Sequence, residues 1–166
     1  MYRKIEDFEK DWTYESEATL KVFKNLRDDA LDQRVTPEGR SLGFLAWHLV
    51  LTIGEMLGRT GLTLEAPDES AAVPSSAAMI VKAYEQAARS VQEQVRKNWA
   101  DASLMEEVNM YGEMWKRGYA LSSFIHHQTH HRGQMTVLMR QAGLLVPGVY
   151  GPSKEEWAQM GMTPHK

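Results

Sequence analysis

Apolar residues recur at steps of three, four and seven through most of this 166-residue chain, which confines it to helices packed along their apolar stripes. No segment alternates over enough residues to predict a sheet. In residues 4–33, Phe8, Trp12, Thr19, Phe23, Leu26 and Ala30 hold the period with charged residues between them. One amphipathic helix is expected there, stopping by Thr36-Pro37-Glu38-Gly39, because proline disfavours helix in the residue before it. Ser41 is placed to cap a second helix over 42–59, whose apolar content implies deep burial. The Pro-, Ser- and Asp-rich stretch 63–76 reads as a loop, with Ser75 or Ser76 capping a third helix over 77–99.

Residues 100–113 carry little signal beyond Gly112, and a short extended piece around 107–111 fits them. The helical period returns from about Glu113 and runs to Ala142, where Gly143 suits the left-handed residue that ends a helix. In the apolar tail, Ser153-Lys154-Glu155-Glu156 fits a capping box opening one short helix through Trp157 and Met160. Such a tail is expected to pack either on its own bundle or on a neighbouring subunit. The prediction is an all-α four-helix bundle with a C-terminal tail and a short extra helix, in one domain over residues 1–166.

Composition then excludes whole classes of function. The chain has 19 Lys+Arg against 22 Asp+Glu, with basic residues scattered among acids, so a nucleic-acid partner is not expected. Uncharged runs such as 41–54 reach 14 residues, short of the ~20 that span a bilayer. No apolar segment follows the charged start, which predicts a cytoplasmic protein. Cysteine is absent, which removes disulfides, thiolate metal sites and a cysteine nucleophile together.

Histidine is the opposite case, because four of the six fall within His126-His127-Gln128-Thr129-His130-His131, inside the fourth predicted helix. Residues four apart share a helix face with Cβ atoms ~5–6 Å apart, so His126 with His130, or His127 with His131, can converge on one ion. The two pairs face directions about 100° apart. The stripe of His127 and His131 continues through Ala120, Phe124, Met135 and Leu138, whereas that of His126 and His130 runs through Tyr119, Ser122, Ser123 and Val137. His127 and His131 are therefore the inward pair. His48, in the apolar second helix, is the remaining internal histidine. A buried imidazole needs a partner in any case, and a metal shared with the inward pair supplies one.

Spacing rejects other metal chemistries. Neither Glu-x-x-His nor His-Glu-x-x-His is present, and there is no Gly-x-Ser-x-Gly elbow or Gly-rich phosphate loop. What remains is three imidazoles from two helices, which leaves coordination positions for water or substrate. Glu55, two turns beyond His48, reads as a solvated carboxylate, with a fourth ligand or a base as the alternatives. Gln134 is best placed to orient His131 from behind, with His130 beside it. Ser122, Ser123 and Tyr119 read as surface or packing residues, with the pocket lining as the alternative.

His48 in an apolar helix, the run His127-x-x-x-His131-Arg132-Gly133-Gln134, and the closing Pro147-Gly148-Val149-Tyr150-Gly151-Pro152 with Glu156-Trp157 resemble the DinB/YfiT-like superfamily over essentially the whole chain. The resemblance implies a four-helix bundle, often a homodimer, holding a divalent metal on three histidines, here His48, His127 and His131. Nickel or zinc is typical of such proteins, while three imidazoles suit iron and copper as well. Some members transfer low-molecular-weight thiols, so a small thiol and a small electrophile are the expected partners. No arginine-rich pocket for such a thiol is legible, and no catalytic residue is assigned. The enzyme reading is a metal that activates a small thiol or water for transfer or hydrolysis. Its alternative is a non-catalytic metal-binding stress or assembly protein.

Overall fold

The computed structural model describes residues 1–163, so His165 lies outside the described residues. Four long helices carry the fold: α1 (Ile5–Phe23), α2 (Leu42–Gly58), α3 (Ala77–Asn98) and α4 (Arg117–Gln141). α1 packs on α3 and α4, and α2 packs on the same two, so α1 and α2 stand across the bundle from each other. From α1, Trp12 packs tilted on Phe124 of α4 at 4.9 Å and Phe23 on Tyr84 of α3 at 5.0 Å, all four rings without exposed surface. The Trp12 Nε1–H, buried with its ring, donates to the Ala88 carbonyl at 3.1 Å. Among the described residues no helix is long and apolar enough to cross a membrane.

The first helix is shorter than its apolar period predicts. α1 ends at Phe23, after which the Asn25 side chain donates to the Lys21 carbonyl and the chain turns into a short 3-10 helix, Asp28–Ala30. Leu26, Ala30 and Leu31 are still buried, so they hold their apolar role while leaving the helix axis. The turn positions Asp28, whose carboxylate accepts the Ala77 N–H at 2.7 Å at the start of α3. Ser76 stands at the cap position but makes no side-chain bond there; the cap comes from Asp28 instead. Ser41 does cap α2, accepting the Phe44 N–H at 3.1 Å.

The extended piece expected around 107–111 is present as a strand, and the second correction concerns residues 113–116. β1 (Glu107–Met110) and β2 (Glu113–Lys116) pair antiparallel, with Val108 opposite Trp115 and Met110 opposite Glu113. Glu113 is thus in a strand, and α4 begins four residues later than the helical period suggests. Tyr111 and Gly112 both have positive φ, at 59° and 92°, as a tight two-residue hairpin turn requires.

At its other end α4 stops as expected. Gly143 has φ 68°, its N–H bonds to the Arg140 carbonyl, and the Leu144 N–H reaches back to Met139 at 2.8 Å, which satisfies the last carbonyls. The tail then packs on its own bundle and includes a short helix, α5 (Lys154–Trp157). Glu156 accepts the N–H groups of Ser153 at 3.1 Å and Gly148 at 2.9 Å and pairs with Lys21 of α1, while Arg140 of α4 pairs with Glu155.

Candidate metal centre

α2 and α4 lie side by side, and each turns imidazoles toward the other. α2 is so apolar that most of it disappears into the core, leaving His48 half-buried on the side of α4. On α4, His127 and His131 follow the stripe of Ala120, Phe124, Met135 and Leu138, all four buried. His131 is buried and His127 half-buried, while His126 and His130 are exposed.

The three inward rings meet. Centroids are 5.0 Å apart for His48 and His127, 4.7 Å for His48 and His131, and 4.5 Å for His127 and His131. One nitrogen from each lies within 4.8 Å of the other two, and among the described residues this is the one such group of three or more potential ligands.

Burial, followed by the neighbouring imidazole charges, pushes both His48 and His127 down to about 4. Burial also lowers His131, against the opposing effect of its Gln134 bond. All three rings are thus neutral near pH 7, the form in which imidazole binds metal.

The His48 Nε2 and His127 Nε2 atoms are 3.2 Å apart. Two nitrogens held tetrahedrally at ~2.0–2.1 Å from one ion would be about 3.3 Å apart. His127 Nδ1 is buried with no hydrogen-bond partner, so among the described residues the one polar partner of this ring is the His48 imidazole. The donor set and spacing fit a divalent ion.

Behind His131 stands a short relay. Its Nδ1–H donates to Gln134 Oε1 at 2.7 Å, which leaves Nε2 with its lone pair for the centre, and the Gln134 amide donates to His130 Nε2 at 3.1 Å. Gln134 fixes the ring of His131, and His130 fixes Gln134.

Glu55 does not join the histidines. Its two oxygens are taken by Arg59 at 2.8 Å and the Tyr111 hydroxyl at 2.8 Å. Tyr119 packs on Trp115 of the hairpin at 4.9 Å. Arg132, in the middle of the motif, turns to α1 and bonds Glu15 and Thr19.

Sequence reasoning missed two neighbours of the centre. Phe44 stacks on His48 with centroids 5.9 Å apart and planes 11° from parallel, and the Arg40 guanidinium sits 5.1 Å over the Phe44 ring. The spacing Arg40-x-x-x-Phe44-x-x-x-His48 was the available signal, a ladder at four-residue steps entering α2.

Comparison with known proteins agrees with the geometry. The sequence model of the DinB family matches residues 1–164. The chain is 45% identical over 166 residues to YrdA of Bacillus subtilis (strain 168), an uncharacterized protein, covering 100% of this chain and 99% of that one. A DinB-like protein of Bacillus cereus ATCC 10987, solved by crystallography, is 43% identical with a TM-score of 0.87, over 90% of this chain and 100% of the other. The DinB-like YjoA of Bacillus subtilis shares the fold at 14% identity and a TM-score of 0.66, over 88% and 98% of the two chains.

Proposed function

The chain belongs to the DinB family, and from that premise we propose that it is a divalent-metal enzyme activating a low-molecular-weight thiol or water for transfer or hydrolysis. The observation that carries this reading is the convergence of three neutral imidazoles, from His48, His127 and His131, with no carboxylate or fourth protein ligand among the described residues to close the set. His48, His127 and His131 would hold the ion, and the chemistry it would supply there is a lowered pKa for a bound water or thiol. Nickel and zinc come first as the metal, with iron and copper beside them.

The chain's own residues have separate tasks in this reading. His48 reaches the centre from α2 and the other two histidines from α4, so the packing of these helices sets the distance between ligands. Gln134 holds His131 in the tautomer that presents Nε2. Core packing around Phe124 and Met135 keeps water from the back of α4. With no cysteine in the chain, any thiol must come from solution.

Purified, tag-free protein is expected to carry about one divalent ion per three-histidine set. Once loaded, it is screened with thiol plus electrophile and with simple esters and amides. Turnover in one class supports the proposal. A full complement of metal with no turnover in any class would replace it with the non-catalytic, metal-binding reading. A cytoplasmic homodimer belongs to the same proposal and is checked by sedimentation and cell fractionation.

A further inference from the structure

The guanidinium of Arg40 stands beside the histidine centre with no carboxylate of its own. It rests over Phe44, and among the described residues no hydrogen bond or ion pair engages it. Its positive charge helps to lower both His48 and His131. Glu55, the carboxylate that acts on His48 and His127, is already held by Arg59 and Tyr111.

Two hollows reach Arg40. One, of about 540 Å³, is also lined by Asp28, Asp32 and Glu38, whose charges oppose an anion. The other, of about 410 Å³, is lined by Val35, Gly39, Arg40, Leu45, Gln134 and Leu138. That lining has three aliphatic side chains, one amide, one cation and no carboxylate. Its volume lies in the ~300–1,000 Å³ range of small-molecule sites. It reaches the centre from behind, through Gln134, the residue that bonds His131 Nδ1 at 2.7 Å.

We propose that this open hollow binds a small carboxylate with an apolar body, with the exposed Arg40 side chain as the specificity-determining residue that takes the carboxylate. The inference rests on the metal-enzyme reading only in treating the bound molecule as substrate. Two parallel N–H donors of a guanidinium match the two oxygens of a carboxylate, and Val35, Leu45 and Leu138 offer the body an apolar wall. The start of α2 does not provide the anion site by itself. Its first N–H groups are taken by the Gln33 carbonyl at 2.9 Å, the Leu31 carbonyl at 2.8 Å and the Ser41 hydroxyl at 3.1 Å. Recognition therefore falls to the Arg40 side chain.

The test uses full-length, metal-free protein, so that a carboxylate cannot register merely by coordinating an ion. 3-Phenylpropionate and its neutral amide are titrated while the Arg40 Nε–H and Gln134 side-chain signals are followed by NMR. The carboxylate is expected to bind about tenfold or more tightly than the amide, as suits a charge-assisted pair. Arg40→Gln should abolish that preference with the folded spectrum otherwise intact, and Arg34→Gln, a change in the neighbouring cation, should retain it. Equal binding of the two probes, no binding of either, or a preference that survives Arg40→Gln overturns the assignment. Loss of metal uptake in the separate loading experiment sinks the enzyme reading and leaves this result standing on its own.

Discussion

Arg132 Nη2 lies 2.6 Å from Glu15 Oε2, and the two side chains are only 3% and 9% exposed. The pair ties α4 to α1, and Tyr150 completes it from the tail by donating to Glu15 Oε1 at 2.5 Å while accepting from Arg132 at 2.8 Å.

Removing one partner of a buried pair leaves the other charge without compensation, at a cost of about 3–5 kcal/mol. Arg132→Ala should therefore lower the unfolding free energy obtained from urea titration by that order. The double variant Glu15→Leu with Arg132→Met should recover most of the loss, because an apolar replacement leaves no orphan charge. Equal destabilisation in both variants would show that the loss does not come from an orphaned charge.

Metal content should follow the inward histidines alone. If elemental analysis shows an ion in tag-free wild-type protein, His48→Ala is expected to lose it, whereas His126→Ala should keep it, since His126 is exposed and outside the group. Full retention by His48→Ala would mean that α2 contributes no ligand.

Gln134→Leu removes the acceptor that sets the tautomer of His131. Loss of such an orienting partner costs about 10–100-fold in metal affinity. His130→Ala should cost less, because it acts on Gln134 and not on the ligand. Competition with a chromogenic chelator measures both, and an unchanged affinity in Gln134→Leu would remove the relay from the account.

The metal-free protein should be acid-sensitive in a defined window. His48 and His127 titrate at about 4 in the fold, against 6.5 for an unperturbed histidine. Between those values the unfolded chain takes up protons that the folded chain refuses, so stability is complete above about pH 6.5 and drains away as the pH falls toward 4. Melting temperatures measured from pH 7 to pH 4 should show this decline. Replacing both histidines with leucine should flatten it, and a decline of the same slope in that double variant would assign it to other groups.

What the sequence made legible follows from how far each signal reaches. His127 and His131 stood out because four-residue spacing and an apolar stripe are properties of one helix. His48 stood out because it interrupts a nearly continuous apolar run. The path of residues 24–33 was not legible, since Leu26, Ala30 and Leu31 keep helical spacing and burial after the helix has ended. Of the hairpin only the first strand was legible, as the extended piece around 107–111; the second escaped because it has four residues whose exposure shows no alternation. The hairpin turn is also unusual, with tyrosine where asparagine or glycine is favoured. The role of Arg132 depends on Glu15, which is 117 residues away, and no local pattern carries that distance.

His131 and Arg132 are neighbours in sequence and belong to different devices. One turns toward α2 and the open centre, and the other toward α1 and the tail. A relative without the proposed metal site would be free to discard His131 while still being held to Arg132 by foldability. The string His131-Arg132 is then two independent constraints read as one word, and an arginine at that position alone says nothing about whether the three-histidine set is complete.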